Sequence, residues 1–429
     1  MLSDAMLPSL PAYFPTCEGA YLVGGCVRDL LLGRPPADYD VAVLGDSRVY
    51  AQTLAAAAGG RIVEIGKPAF RLWRVVAPGG IIDVTTAAGA TIAEDLRQRD
   101  FTINALALDI TTGAIIDVTG GRQDLAAETI RMVSAAAFRN DPVRLIRAFR
   151  LQARFGFSIE AGTLAAISRD ADRITRPAGE RVREEFFKML GADRSAPALQ
   201  GMARTGLLTA LFPGLTRAGE NALERAVAAH PHLESLLCDL PACFPDTAEM
   251  LMRELTLNRR ILLKCAAVLS RVPEIPAIAQ SLRLSRHDAA RLEGLIRHHA
   301  AALGMLAAPR PSPRDVTRFF REAHAVLPDL LLNAAADLMA APAAPVGRSQ
   351  EIRSFTAELL HTYAFAHTPR LHSPPPISGN DLIREFGLKP SALFKQILDS
   401  IEEERLSRSE LGRAEALEMV RAYLKHQDR

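Results

Sequence analysis

Asp38 and Asp40 stand one residue apart in the segment Leu22–Val43, LVGGCVRDLLLGRPPADYDVAV. The run from Tyr39 alternates as a strand, and residues i and i+2 of a strand share a face, so the two carboxylates point the same way. Two carboxylates on one rigid strand suit a pair of divalent cations handling an in-line phosphoryl transfer. Asp83, in Ile81-Ile82-Asp83-Val84, occupies an equivalent place on another strand-like run and is a candidate third ligand. Upstream, Gly24-Gly25 reads as a tight turn that lets the backbone approach a phosphate closely. Arg28, one helical turn further on, is placed to grip the same phosphate. An isolated D-x-D is most often a solvated strand edge. The Gly-Gly turn and the Arg-Asp pair at this spacing ahead of it favour a nucleotide site.

These residues need a sheet to hold them. Ala20–Val23 reads as a strand, Val27–Leu32 as a short helix stopped by Pro35-Pro36, and Tyr39–Leu44 as a strand. Arg61–Ile65, Arg71–Val76 and Ile81–Thr86 are further β-like runs. Phe101–Asp109 and Ala114–Val118 complete an α/β unit that ends near Ser134. Strands this short, with so few helices between them, argue against a doubly wound nucleotide fold. A small mixed sheet with helices on one side is expected. From Ala135 strand signals vanish. Val143–Phe155 and Ala178–Leu190 are amphipathic helix candidates, followed by Ala/Leu/Arg-rich helices with breaks at Pro273–Pro276, Pro309–Pro313, Pro342–Pro345 and Pro374–Pro376. No repeat of about 20–50 residues is visible.

Composition sets the limits. A chain of 429 residues, 48% apolar and 23% charged, can bury several cores and is not disordered. No apolar run reaches the roughly 18–20 residues needed to span a bilayer. The N-terminus lacks a basic, then apolar, leader pattern, and a cytoplasmic protein is expected. Five scattered cysteines with no C-x-x-C fit reduced thiols better than a disulfide frame or a zinc site. Net charge is only +2, so bulk electrostatics do not mark a nucleic-acid binder. Of the 51 cationic side chains only six are lysines, so forked guanidinium donors suited to phosphates and base edges dominate.

The segment GG-x-V-R-D-x-L-L-G followed by D-x-D resembles the nucleotidyltransferase head of class II bacterial tRNA CCA-adding enzymes and poly(A) polymerases. Three further blocks follow in the family's order. Arg99-Asp100-Phe101-Thr102-Ile103-Asn104-Ala105 resembles its R-R-D-F-x-x-N-A block, and Asp117–Leu125 its D-P-x-G-G-x-x-D-L turn. Asn140-Asp141-Pro142-Val143-Arg144 through Arg150 resembles the E-D-P-x-R-x-x-R-A-x-R neck. Weaker similarity continues to Ile377–Lys395.

The resemblance implies a polymerase-beta-like α/β head at 1–134 and a neck with the nucleotide-reading helix at 135–215. A helical body at 216–308 and an RNA-binding helical tail at 309–429 would follow, in an elongated all-α remainder. It implies two Mg²⁺ ions on Asp38 and Asp40, one activating the RNA 3′-hydroxyl and the other neutralising the triphosphate. Gly24, Gly25 and Arg28 would bind the triphosphate, and Arg99, Asp100 and Asn104 would surround ribose and phosphates. In the neck, Asp141, Arg144, Arg147 and Arg150 fall at steps of three, which keeps them on one slowly drifting face of a helix. Asp141 accepts and Arg144 donates, so together they can read a base edge without a template. Arg147 and Arg150 would complete the triphosphate contacts.

Two departures from the family pattern stand out. Asn140 replaces the usual Glu, and the interval from Asp83 to Arg99 is short where full CCA-adding relatives carry a flexible loop. Many relatives also carry an H…HD…D phosphohydrolase module. Here Leu262–Arg271, LLKCAAVLSR, stands where the HD pair is expected, and His287-Asp288 lacks partners, so the module reads as degenerate scaffold. His230, His232, His298 and His299 read as surface or capping residues, and Arg253, Arg259, Arg260, Arg314, Arg318 and Arg321 as faces more often solvated than RNA-bound. The expected activity is template-independent addition of C, as CC or the full CCA, to tRNA 3′ ends from CTP and ATP. Poly(A) polymerase, a dedicated A-adding enzyme and a catalytically silent RNA-binding protein are the alternatives. No protein partner is evident.

Overall fold

The computed structural model describes residues 13–66, 72–219, 221–308, 311–341, 347–371, 373–407 and 411–427. Arg71, Pro309 and the 342–345 break lie outside them. The chain divides into two units, Met1–Phe212 and Pro213–Arg429.

The first unit opens with β1 (Ala20–Val23), α1 (Gly25–Leu31), β2 (Tyr39–Val43), α2 (Ser47–Ala58), β3 (Arg61–Ile65), β4 (Leu72–Ala77) and β5 (Gly80–Thr86). The short helix α3 (Ile92–Arg97) leads to β6 (Leu106–Asp109) and β7 (Ile115–Asp117). The sheet runs β3-β4-β5-β2-β1-β6-β7. β2 and β5 are parallel, while the remaining neighbours are antiparallel. The sheet is mixed, as expected. Its strands alternate, so one face carries Leu22, Val41, Val43, Val75, Ile82, Val84 and Leu108 against Val27 and Leu30 of α1 and Tyr50, Ala51 and Leu54 of α2. Buried apolar surface of this kind contributes ~25 cal/mol per Å².

The opposite face is thinner. Val23, Ala42 and Ala107 meet Ile92 and Leu96 of α3. Helices therefore cover both faces rather than one: α3 is too short for its two apolar residues to be read as a periodic face, yet they are buried against the sheet. The segment Phe101–Asp109 is not a continuous strand either. Thr102–Asn104 is a 3₁₀ turn that precedes β6.

The unit continues with α4 (Gly121–Ala126), β8 (Thr129–Ile130), α5 (Ala136–Asn140), α6 (Arg144–Phe155), β9 (Ser158–Ile159), α7 (Ala161–Asp170), α8 (Gly179–Leu190) and α9 (Ala196–Arg204). β8 and β9 form a two-residue parallel pair. Strand pairing therefore persists past Ala135, in a run too short to alternate visibly. α6 ends at Gly156, whose left-handed φ of 78° closes the helix. Its Leu145, Ile146, Ala148, Phe149 and Leu151 are buried. The described residues of the second unit are helical, and no helix among the described residues is long and apolar enough to cross a membrane.

Candidate active site

Strand register brings the acids together. Asp40 of β2 is the direct partner of Asp83 of β5 in the parallel pairing, and Asp83 is the partner of Arg74 of β4 in the antiparallel one. Paired residues on adjacent strands share a face. Asp40, Asp83 and Arg74 therefore form a row across three strands, with Asp38 exposed just before β2. Arg74 grips Asp83 with both arms of its fork: Nε donates to Oδ1 and Nη2 to Oδ2, each at 2.7 Å. Enclosure by the surrounding protein, then the charges of Asp38 and Asp83, push the Asp40 carboxyl up to about 6, against the opposing pull of Arg99 and Arg74.

Gly24 sits at the junction of β1 and α1 with φ 78° and ψ −135°, a conformation that strains any residue with a side chain. Space requires glycine too. A Cβ there would stand 2.9 Å from Arg99 Nη1 and 3.8 Å from Asp40 Oδ2. The turn thus lets Arg99 approach the carboxylate row. Arg99 is held from behind by Asp95, whose Oδ2 accepts from its Nε and Nη2 at 3.0 and 2.8 Å. The same Asp95 accepts the Ala88 amide at 2.9 Å through Oδ1. The turn between β5 and α3 is closed further by Ala90 N–H donating to Glu94 and by Gln98 Nε2 donating to the Ala88 carbonyl.

Arg28 is buried, and its donors are committed within the protein. Nε and Nη2 donate to Asp29 Oδ1 at 2.9 and 2.7 Å, and Nη1 donates to Asn104 Oδ1 at 2.5 Å. Its guanidinium lies 4.5 Å from the centre of the Phe155 ring. Asn104 passes the connection on, donating to Asp100 Oδ1 at 3.1 Å. Asp100 Oδ2 accepts from Arg147 Nη1 at 3.0 Å, and Glu185 of α8 pairs with Arg147 at 3.2 Å and with Arg150 at 3.0 Å. Burial works to raise the Asp100 carboxyl, but Arg147 and then the Asn104 hydrogen bond hold it below the ordinary carboxylate range. One polar network therefore runs Asp29–Arg28–Asn104–Asp100–Arg147–Glu185–Arg150, joining head to neck. Gly25 borders it: a Cβ there would meet Arg28 Nη2 at 3.3 Å.

Asp141 does not lie on the helix. It is extended (φ −144°, ψ 94°) between α5 and α6, because Pro142 disfavours a helical conformation in the residue before it. Arg144 begins α6, with Arg147 and Arg150 on the turns that follow. Asp141 Oδ2 accepts from Arg181 at 2.8 Å, while Arg144 Nη1 donates to the Gln98 carbonyl at 3.1 Å. Asp141 Oδ1 and Arg144 Nε are buried atoms with no hydrogen-bond partner. One acceptor and one donor are thus left open side by side, next to the residue that precedes Arg99.

Sequence reasoning missed Arg74, Asp95 and Glu185. Arg74 and Glu185 carry no motif, and only strand register or helix packing shows what they hold. Asp95 did leave a signal, four residues before Arg99 on a helix.

Two family profiles match the chain. One, described as the "Poly A polymerase head domain", spans residues 20–131, and the other, "Probable RNA and SrmB-binding site of polymerase A", spans 156–218. A CC-adding tRNA nucleotidyltransferase of Geobacter sulfurreducens is 34% identical over 418 residues, covering 95% of this chain and 92% of the relative. The chain belongs to the tRNA nucleotidyltransferase family. An A-adding tRNA nucleotidyltransferase of Deinococcus radiodurans is 31% identical, with 93% of each chain covered. A Thermotoga maritima CCA-adding enzyme solved with tRNA shares the fold at a TM-score of 0.70 and 24% identity, covering 94% of this chain and 91% of that one. Family membership makes the chain an RNA nucleotidyltransferase and favours tRNA-directed relatives over the poly(A) polymerase alternative.

The second unit departs from one expectation. His230 and His299 are buried rather than at the surface. His230 lies 3.7 Å from Glu234, which pairs with Lys264 at 2.9 Å, and His299 Nε2 is 2.9 Å from Asp337. Of the arginines read as solvated faces, Arg253, Arg314, Arg318 and Arg321 are exposed; within the unit Arg259 pairs with Asp329, Arg314 with Glu404 and Arg318 with Glu403, and Arg321 donates to the Asp399 carbonyl. No group of three or more His, Cys, Asp or Glu side chains among the described residues closes into a ready cation cage.

Proposed function

We propose that the protein adds CC to the 3′ ends of tRNAs lacking them, using CTP, and that it does so in the cytoplasm with two Mg²⁺ ions held by Asp38 and Asp40. The observation that carries this reading is the convergence of the Asp38–Asp40–Asp83 acids, Arg99 and the open Asp141–Arg144 pair on one side of the first unit. The donor chemistry suits the metal. Hard carboxylate oxygens are the ligands Mg²⁺ takes, and the Asp40 carboxyl, raised by burial and then by the charges of Asp38 and Asp83, is one that a divalent cation would hold ionised. Asp83, saturated by Arg74, serves to hold that charge balance. When bound, the metal supplies polarisation of the attacking hydroxyl and charge neutralisation on the departing pyrophosphate.

The chain's own residues do the rest. Arg99, fixed by Asp95 and looking past Gly24 toward Asp40, presents its guanidinium to the triphosphate. Arg150, whose Nε pairs with Glu185 at 3.0 Å, adds a second cation from the neck. Arg28 and Asn104 act by holding the buried network taut rather than by free contact. Asp141 Oδ1 accepts from the exocyclic amine of cytosine, and Arg144 Nε donates to its ring acceptors. The RNA 3′-oxygen attacks the α-phosphorus, the P–O bond to pyrophosphate breaks, and the hydroxyl proton leaves to solvent.

Restriction to CC rests on the turn from Ala87 to Thr91. In relatives with full specificity a flexible loop in this interval helps the pocket change from C to A. Here the turn is pinned by Asp95, Glu94 and Gln98, and no lever remains. The proposed division into head 1–134, neck 135–215, body 216–308 and RNA-binding tail 309–429 accompanies this reading. The test supplies CTP and ATP, separately and together, to tRNAs ending before C74, after C74 and after C75. Products that stop after C75 are expected. Efficient A addition onto CC ends overturns the CC restriction, and no incorporation of any nucleotide overturns the transferase reading.

A further inference from the structure

Helix α8 packs on α6 through a buried stripe of Val182, Phe186, Met189 and Leu190. Beside that stripe it carries two charged residues one turn apart, Arg181 and Glu185, which share a face at this spacing. Glu185 is buried and pairs with Arg147 and Arg150. Arg181 is half-exposed, and its Nη2 donates to Asp141 Oδ2 at 2.8 Å. One helix thus backs both the neck arginines and the acid that precedes them.

Arg144 competes for the same oxygen. Its Nε stands 4.0 Å from Asp141 Oδ2, beyond hydrogen-bond reach. A move of ~1 Å would close the gap to an ordinary N–H···O distance. The two side chains would then occupy with each other the groups that a base has to meet. Cytosine offers an amine donor beside ring acceptors, so it needs an acceptor from Asp141 and a donor from Arg144. With Arg181 on Oδ2, the Asp141 charge is answered from outside α6, and Oδ1 keeps no hydrogen-bond partner. Arg144 is drawn the other way, its Nη1 donating to the Gln98 carbonyl at 3.1 Å. Each member of the pair is therefore tethered from a different element, α8 on one side and the end of α3 on the other. An ion pair open to water contributes little to stability, so the consequence of this one lies in what it withholds from Arg144.

We propose, on the reading of Asp141 and Arg144 as the base-reading pair, that Arg181 is a positioning residue for nucleotide selection. It holds the Asp141 carboxylate apart from Arg144 and so leaves one acceptor and one donor for the incoming base. Arg181 touches neither base nor phosphate in this role and acts only through Asp141. Without it, Asp141 and Arg144 close on each other, and the edge that separates cytosine from uracil goes unread.

The experiment uses the full chain and a tRNA lacking its terminal CCA, with CTP and UTP supplied separately. Arg181→Ala should lower kcat/KM for CTP by roughly tenfold and the CTP-over-UTP preference by a similar factor, with a melting temperature within a few degrees of wild type. Arg181→Met takes its place if the alanine variant fails to melt cooperatively. Arg181→Lys, which returns a cation to Oδ2, should recover part of the preference. Arg181→Ala placed in an Asp141→Ala background should change the preference no further, because the residue it acts through is gone. A preference kept in Arg181→Ala but lost in Asp141→Ala overturns the proposal and leaves the base-reading pair standing. An equal loss for CTP and UTP overturns it too, as the mark of general support. So does a further loss of preference in the double variant, as the mark of direct contact with substrate. A preference intact in Asp141→Ala overturns the reading of the pair itself, and the proposal with it.

Discussion

Asp40 and Asp83 face each other across the parallel pair β2–β5, and Arg74 on β4 clamps Asp83 from the far side. The clamp leaves Asp40 as the carboxylate whose charge is poorly compensated, since it meets Asp38 and Asp83 with only Arg99 and Arg74 in opposition. A cation-binding role and a folding role then separate. Asp40→Asn should lower nucleotide incorporation by roughly 10³-fold or more, equivalent to ~4 kcal/mol of transition-state stabilisation. Thermal stability in chelator should be equal or higher, because a like-charge repulsion disappears. Single-turnover incorporation and a melting curve on the same sample check both halves. A variant that unfolds at room temperature, or one that remains active, contradicts the assignment.

Asp141 and Arg144 make a second, different forecast. Each keeps one buried polar atom without a hydrogen-bond partner beside the contacts it makes to Arg181 and the Gln98 carbonyl. Asp141→Ala should leave the melting temperature within a few degrees, since its pair with Arg181 is half-exposed and worth at most ~1 kcal/mol. The change should fall on selection: kcat/KM for CTP should drop by roughly 10²-fold, as for a lost base-reading hydrogen bond, and the preference for CTP over UTP should collapse. Parallel kinetics with CTP, ATP and UTP decide it.

Much of this arrangement is legible in the residues themselves. The alternation of Tyr39–Val43, the glycines at 24 and 25 and the spacing of the neck arginines each carry a local physical signal. What was not legible depends on register and packing. Arg74 is one arginine among many until β4 is aligned with β5. Glu185 is an ordinary helical acid until α8 lies against α6. Asp141 followed the three-residue rhythm, yet the Pro142 ring displaced it from the helix. His230 and His299 read as surface residues because burial depends on packing: Glu234 stands one turn from His230 on the same helix, whereas Asp337 is brought to His299 only by helix packing. Asp337 is 38 residues from His299 in the chain.

Asp337 also gives the second unit an acid sensitivity. Burial alone would raise its carboxyl, but the hydrogen bonds from His299 and Arg225 and the charge of Arg271 hold it down to about 2. The unfolded chain therefore takes up a proton first as the pH falls, so this group's stabilisation is present above about pH 4 and is lost between pH 4 and pH 2. The shift corresponds to ~2 kcal/mol. Wild type should lose that amount more than Asp337→Asn over this interval, with the two curves converging near pH 2. Urea titrations at stepped pH, followed by circular dichroism, measure the difference. Parallel curves from pH 6 to pH 2 would show that Asp337 does not couple protonation to folding.

The last forecast concerns Asp95, which joins two features usually considered apart. One oxygen holds Arg99, a cation beside the strand acids that is not itself paired to them, and the other holds the Ala88 amide and hence the closed turn after β5. If Arg99 acts on the triphosphate, its orientation matters most as charge builds on the leaving pyrophosphate. Asp95→Ala should then lower kcat by roughly 10²-fold with a much smaller rise in KM for CTP, the pattern of an interaction realised in the transition state. Asp95→Asn keeps an acceptor for one partner and should recover part of the loss. Loosening the turn carries a second consequence: with Ala88 released, residues 87–91 gain freedom, and the terminal A step should improve relative to the C steps. Rates of all three additions, measured in both variants, separate these effects. A uniform loss across C and A additions would leave Asp95 as support for Arg99 alone. An unchanged kcat would remove Arg99 from the reaction.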